Sequence, residues 1–387
     1  MALGNLPPDG GGFVIPITRP SLGQAEADAA AAAVLSGWLS QGPRVAEFEQ
    51  AVAAYVGAKH AVATSNCTTA LHLALRAAGV QPGDEVICPS FSFIATANAI
   101  VHCGATPVFV DIDRRTYNIN PGLIEAAITP RTRAIVPVDQ IGLPADMTAV
   151  NEIARRHGLK VVEDAAPSLG ATIGEARVGS LSDFTCFSFH PRKSITTGEG
   201  GIVTTNDDAA AAWLRSVRSH GASTSDLARH TSGTTDIEEY RELGYNCRMT
   251  DIQGAVGIVQ LGRLDEILAA RRRIARRYDT LFRDESRLTT PYVPDGSAHT
   301  YQSYCVRLTT ARPRTEIMAE MAAAGIATRR GVMAIHLEPY YRAQLPTLSL
   351  PETESASAET LLLPLFADMT EAEQDSVVAA LRTALRA

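Results

Sequence analysis

Val161-Val162-Glu163-Asp164-Ala165-Ala166 reads as an apolar strand that runs directly into two acids and then into small residues. In open α/β sheets ligands collect outside the carboxyl ends of the strands, so a carboxylate at this position faces a crevice. The competing reading is that Asp164 caps a following helix, a role aspartate fills readily.

The same texture extends on both sides. Between about residue 60 and residue 205, short apolar or β-branched runs at Ala61–Thr64, Glu85–Cys88, Thr106–Val110, Ala134–Val138, Lys160–Val162, Thr185–Phe189 and Gly201–Thr204 read as strands. Leu71–Ala78, Ala95–His102 and Met147–His157 carry helical spacing, and Pro82-Gly83-Asp84 and Pro144 mark turns. Alternating strands and helices predict an α/β fold, a large and mostly parallel sheet with helices on both faces. A helical stretch from about Asp251 to Phe282 follows. A second α/β pattern comes after it: Tyr304–Leu308 as strand, Thr315–Ala324 as helix and Glu371–Ala387 as closing helix. The expected organisation is an N-terminal arm over 1–30, a large domain over 31–255, and a helix linker with a small C-terminal domain over 256–387.

Composition narrows the function. Hydrophobic residues at 45% and charged residues at 20% are ordinary globular usage, which disfavours disorder and membrane spans. A net charge of -7 argues against nucleic acid as partner and for small molecules. The densest basic run, Arg271, Arg272, Arg273, Arg276 and Arg277, follows apolar residues at helical spacing and reads as a solvated helix face. Met1 to Gly12 has neither the basic nor the apolar region of a signal peptide, and no apolar run reaches membrane-spanning length, so the expected location is cytoplasmic. Cys67, Cys88, Cys103, Cys186, Cys247 and Cys305 form no CxxC pair, which predicts reduced, buried thiols and no metal site.

Two further segments carry candidate chemistry. Lys193, in Phe187-Ser188-Phe189-His190-Pro191-Arg192-Lys193-Ser194, lies just past a predicted strand and before a glycine-rich turn, where an amine made nucleophilic by burial can reach a site at the strand ends. On its own such a lysine also reads as a surface residue. Ser65-Asn66-Cys67-Thr68-Thr69-Ala70-Leu71 leads from strand to helix and offers free N–H groups and hydroxyls to a phosphate, although helix capping accounts for the same residues.

These segments, in this order, resemble the DegT/DnrJ/EryC1/StrS family of pyridoxal 5'-phosphate (PLP) dependent sugar aminotransferases, which have the type I, or aspartate aminotransferase, fold. The resemblance also takes in Ser36-Gly37-Trp38-Leu39-Ser40-Gln41-Gly42-Pro43, Phe48-Glu49, Pro89-Ser90-Phe91-Ser92-Phe93-Ile94-Ala95-Thr96-Ala97-Asn98 and Gly244-Tyr245-Asn246-Cys247-Arg248-Met249-Thr250-Asp251. It implies that Lys193 forms the Schiff base to PLP and shuttles the proton that converts it to the pyridoxamine form (PMP), and that Asp164 pairs with the pyridine nitrogen. It further implies that Ser188, Thr68 and Thr69 bind the phosphate, that Phe93 stacks on the ring, and that Asn246 reaches the phosphate of the neighbouring subunit in a homodimer with shared sites. The acceptor implied is a keto-deoxy sugar on a nucleoside diphosphate, with L-glutamate as amino donor. Arg248, Arg329 and Arg330 are candidates for the diphosphate, since arginine binds phosphate through its fork of donors. His336 resembles an active-site histidine that touches substrate.

Three positions depart from the family pattern. Cys67 stands where glycine is frequent, Asp139-Gln140-Ile141-Gly142 replaces a frequent His-Leu-Tyr-Gly, and Pro167 replaces a Gln or His that bonds the cofactor's phenolic oxygen. Proline has no donor to offer there, which leaves Ser168 or a water. The rival functions are aminocyclitol (keto-inositol) amination, PLP-dependent sugar dehydration, which the presence of Lys193 opposes, and a non-catalytic regulator.

Overall fold

The computed structural model describes residues 14–224 and 238–386. The leaderless reading of Met1 to Gly12 falls outside them. Seven strands make the large sheet: β1 (His60–Thr64), β2 (Glu85–Pro89), β3 (Thr106–Val110), β4 (Thr132–Ile135), β5 (Lys160–Asp164), β6 (Phe184–Ser188) and β7 (Gly201–Thr205). Their order is β1-β7-β6-β5-β4-β2-β3. β2 to β6 pair in parallel, whereas β7 is antiparallel to both its neighbours, β1 and β6. The stretch between β6 and β7 contains no helix to carry a parallel crossover, so the chain simply turns back. Because β7 reverses twice, β1 runs with β6, and Thr64, Pro89, Asp164 and Ser188 all end on one edge.

The sheet is covered on both faces, as expected. Successive strand residues point to opposite sides. Val62, Cys88, Val162, Cys186 and Val203 pack on one side against α3 (Cys67–Ala77), α4 (Ala95–His102) and α6 (Asp208–Val217). On the other side Ala63, Phe187 and Ile202 meet α2 (Pro43–Val56) and the start of α8 (Leu264–Leu281), while Ile87, Ile135 and Val161 meet α5 (Met147–His157). The expected single helix from Asp251 to Phe282 is two, α7 (Asp251–Gly262) and α8, broken at Arg263, whose guanidinium reaches Glu26 at 2.7 Å on α1 (Gln24–Leu35).

α8 spans both cores. Its first half packs on the large sheet; Ile274 and Tyr278 pack with Tyr304, Val306, Leu361, Leu363 and Leu381. That second core covers a four-stranded antiparallel sheet of β8 (Leu288–Thr289), β9 (Tyr304–Leu308), β10 (Arg329–Arg330) and β11 (Thr360–Leu363), with α9 (Arg314–Ala323) and the closing helix α10 (Glu371–Arg386).

The arginine run on α8 departs from its reading as a solvated face. Arg273 and Arg276 are exposed, but Arg271 is buried and Arg272 half-buried. The Arg271 guanidinium donates to the carbonyls of Tyr301, Gln302 and Leu365, and that of Arg272 to His299 and Gly170. Loop carbonyls that no strand or helix satisfies need such donors when buried. Burial brings the Arg271 pKa down to about 10. The six cysteines are all buried and free, in line with reduced thiols.

Candidate active site

Asp164 closes β5 at the carboxyl edge and is buried. Its Oδ2 accepts from Thr96 Oγ1 at 2.7 Å, and its Oδ1 from the Ala166 N–H at 3.2 Å. No helix follows within reach of this carboxylate; the next residues form turns, so helix capping is not its role. Burial raises its pKa, while the Thr96 hydrogen bond and the Lys193 charge work to lower it.

Lys193 belongs to the same site. It sits in a tight turn beyond β6, where its N–H donates to the His190 carbonyl at 2.8 Å and His190 Nδ1 accepts from the Arg192 N–H. Desolvation pulls the pKa of its ammonium below the ordinary lysine value; Cys67 and Asp164 pull it back up, and Arg192 adds to the fall. The chain has three lysines. Lys59 and Lys160 are exposed and ion-paired to Asp208 and Asp183. Lys193 is thus the lysine in which desolvation, rather than an ion pair on the surface, sets the chemistry, and this scarcity of lysine is a sequence signal that could have singled it out.

The turn into α3 lies alongside. Asn66 is the N-cap, with its side chain accepting from the Thr69 N–H at 2.9 Å, and Thr69 Oγ1 donates to the Asn66 carbonyl at 2.7 Å. Capping therefore engages Asn66 and Thr69. The N–H groups of Cys67 and Thr68 remain in the first turn, where an anion is favoured. Gly201 backs this turn so closely that a Cβ would come within 2.4 Å of the Asn66 carbonyl carbon. Ser188 ends β6 nearby, its Oγ 3.4 Å from the His190 N–H. Phe93 precedes α4, three residues before Thr96, and leaves 65% of its surface exposed. A ring this exposed, just past the carboxyl end of β2, suits stacking with a planar ligand.

The departing segments meet one another. Ser168 donates to Asp139 Oδ2 at 2.5 Å, with the Ala165 carbonyl 3.2 Å away as the alternative acceptor, so its one hydroxyl proton is not free to replace the missing Gln or His. The Pro167 carbonyl accepts from Thr300 Oγ1 at 2.8 Å, and Gly142 O accepts from the Thr300 N–H at 3.0 Å. Gln302 Nε2 donates to Arg192 O at 2.7 Å, next to Lys193. The His299–Gln302 segment, itself held by Arg271 and Arg272, thus braces three loops of the site; nothing in its composition announces this.

The remaining candidates are more dispersed. Asn246 is exposed, and its Oδ1 accepts from Arg248 Nε at 3.3 Å. Arg329 and Arg330 are exposed on β10, with Arg330 bound to Glu338 at 3.2 Å. His336 is buried: Nδ1 lies 2.7 Å from Ser90 Oγ and Nε2 lies 3.3 Å from Glu354 Oε1. Its ring ties the end of β2 to the helix Pro351–Glu359 rather than facing open space. Among the described residues there is no cluster suited to a metal and no helix long and apolar enough to cross a membrane.

The chemistry of this donor set fits PLP. A buried carboxylate, a desolvated lysine, an anion-binding helix start and an exposed ring converge at one sheet edge. Known proteins agree. The model of the DegT/DnrJ/EryC1/StrS aminotransferase family matches residues 20–382. The chain is 44% identical over 371 residues to a GDP-perosamine synthase of Caulobacter vibrioides, covering 95% of this chain and 97% of that one. It is 41% identical over 374 residues to the spore coat polysaccharide biosynthesis protein SpsC of Bacillus subtilis, covering 95% and 96%. Among solved structures, Helicobacter pylori PseC, an aminotransferase involved in the biosynthesis of pseudoaminic acid, superposes with a TM-score of 0.89 at 27% identity, over 96% of this chain and 99% of that one.

Proposed function

The chain belongs to the DegT/DnrJ/EryC1/StrS aminotransferase family, whose members are PLP-dependent sugar aminotransferases, and from that premise we propose that it moves an amino group from L-glutamate to a keto-deoxy sugar carried on a nucleoside diphosphate. The observation that carries the reading is the pairing of desolvated Lys193 with buried Asp164 at one edge of the sheet. The nucleotide takes its support from the relative named GDP-perosamine synthase. When bound, PLP supplies an electron sink that spreads negative charge from the substrate carbon.

This chain's residues do the rest. In this reading Lys193 carries the cofactor through Nζ and, once displaced, holds and moves the proton at the substrate carbon; its lowered pKa keeps more of it neutral and able to accept that proton. Asp164 holds the pyridine nitrogen protonated, and Thr96 fixes the carboxylate that does so. Thr68, Ser188 and the N–H groups at the start of α3 hold the phosphate, joined by Asn246 of the partner subunit in a homodimer. Thr69 contributes through the shape of the turn, because its hydroxyl is spent on Asn66. Phe93 stacks on the ring. Arg248, Arg329 and Arg330 receive the diphosphate. His336 acts as a positioning residue between Ser90 and Glu354.

The test is to load the protein with PMP, add a nucleoside-diphosphate keto-sugar, and follow return of the PLP absorbance together with the aminated sugar by mass spectrometry. Turnover with the nucleotide-linked ketone and with glutamate supports the reading. Turnover with a nucleotide-free keto-inositol instead would assign the chain to aminocyclitol formation.

A further inference from the structure

Behind Asp164 lie two more buried acids. Val138 and Asp164 form a parallel bridge in which the Asp139 N–H donates to Asp164 O at 3.1 Å and the Asp164 N–H to Pro137 O at 2.9 Å. Side chains alternate along each strand, so this register puts Asp139 and Glu163 together on the face away from the Asp164 side chain. Both are fully buried on this shared face, and each acts directly on the other's titration.

Their other contacts are donors from hydroxyl and backbone groups. Asp139 accepts from the Ala145 N–H at 2.8 Å and from Ser168 Oγ at 2.5 Å; Glu163 Oε2 accepts from Ser182 Oγ at 2.5 Å and Thr185 Oγ1 at 2.9 Å. Glu163 Oε1 is buried with no donor at all. An orphaned acceptor in a buried pair of carboxyl groups is costly unless the pair holds a proton. Among the described residues no cation acts on the pair to offset two negative charges: the charged neighbour is Asp164, with the Cys186 thiol also close to Glu163. Burial raises the pKa of both groups above all else; Glu163 and then Asp164 push Asp139 further up against its bonds from Ser168 and Ala145, while the bonds from Ser182 and Thr185 and the contact with Asp139 hold Glu163 back and Asp164 raises it.

The pair has its own way to water. Ser182, half-buried, lines a cleft of about 530 Å³ together with Lys160, Asp183 and Thr205. Lys160 begins β5 and Thr205 ends the antiparallel β7, so the cleft opens at the amino edge of the sheet, opposite the Lys193 site. Of the ionisable groups there, Lys160 and Asp183 are bound to each other at 2.7 Å, and Asp207 accepts from the Ala210 N–H at 3.0 Å as the cap of α6.

We propose that Asp139 and Glu163 share a single proton and act as a positioning pair behind Asp164, exchanging that proton with solvent through Ser182 at the far edge of the sheet. The pair then presents one negative charge to Asp164, not two. The proton belongs to the pair and not to either residue. Two of the departures from the family pattern, the Asp139 segment and the Pro167-Ser168 turn, become one device, because Ser168 is bound to Asp139. The influence on the cofactor rests on the reading of Asp164 as partner of the pyridine nitrogen; the shared proton does not.

Two measurements on the holoprotein test this. Infrared difference spectra near neutral pH should show a protonated carboxyl band in the unmodified protein that is lost in both Glu163→Gln and Asp139→Asn. Absence of the band from the unmodified protein, or its survival in both variants, overturns the shared proton. If one variant fails to fold, the other and the unmodified protein decide. The second readout is the pH midpoint of the cofactor's visible band. Each single substitution replaces a protonated pair by a neutral amide and one carboxylate, so the charge is unchanged and the midpoint should stay put. The double variant removes the charge and should move the midpoint to lower pH. Single variants that shift it as far as the second substitution does would mean that the pair carries both charges, and the proposal fails. Since the infrared arm needs neither turnover nor Lys193 chemistry, its failure is separable from failure of the aminotransferase reading.

Discussion

Thr96 Oγ1 donates to Asp164 Oδ2 at 2.7 Å, and Ser92 Oγ in turn lies 2.7 Å from Thr96 Oγ1. All three residues are buried, so the carboxylate at the end of β5 is oriented from the start of α4. Two elements separated by nearly 70 residues meet at one oxygen.

Thr96→Val keeps the shape and removes the donor. Leaving a buried carboxylate short of one hydrogen bond costs about 1–3 kcal/mol, so PLP affinity should fall about 5- to 150-fold, read by titration of the apoprotein. Thr96→Ser should restore most of it. Equal affinity for the Val variant would show that Thr96 is only packing.

Lys193 should react as an amine of low pKa. In apoprotein, labelling of Lys193 by an amine-directed reagent should reach its half-maximal rate at lower pH than Lys59 does. Asp164→Asn removes a charge that favours the ammonium, so the midpoint should move lower still. An upward movement would contradict the electrostatic arrangement.

Asp251 caps a helix about two hundred residues earlier in the chain. Its buried carboxylate accepts from the N–H groups of Gly42, Arg44 and Val45 at 2.8, 3.1 and 2.9 Å, where the N-cap Gly42 has no side chain of its own. Asp251→Ala should cost about 2–4 kcal/mol, seen as a lower urea midpoint with an unchanged slope. Gly42→Ala should destabilise too, because its Cβ would stand 2.7 Å from the Trp38 ring and 2.8 Å from Asp251 Oδ2.

Arg271→Met retains an apolar stem but leaves the carbonyls of Tyr301, Gln302 and Leu365 without their donor. A loss of about 3 kcal/mol is expected. Because the released segment braces Pro167 and Arg192, kcat should fall as well; destabilisation with kcat intact would confine Arg271 to the fold.

What could be read from sequence follows what local pattern encodes. Val161-Val162 running into Glu163-Asp164 marks both a strand and its functional end, and the strand-helix alternation gives the layers. The antiparallel β7 was not legible, since pairing direction leaves no trace in the composition of Gly201–Thr205. Arg271 read as solvated because its partners lie some thirty residues away and further, in a loop with no distinctive composition. Ser168 reads from sequence as a candidate for the cofactor, but Asp139, twenty-nine residues upstream, holds its hydroxyl. His336 carried a family-like motif, but its burial between Ser90 and Glu354 depends on how the second sheet docks.

The most direct measurement is borohydride reduction of the PLP-loaded protein, followed by peptide mass spectrometry. The account predicts the pyridoxyl mass on the peptide that contains Lys193, at one per chain, and its loss in Lys193→Ala. Stoichiometric label on Lys59 or Lys160, with Lys193 unmodified, would contradict it.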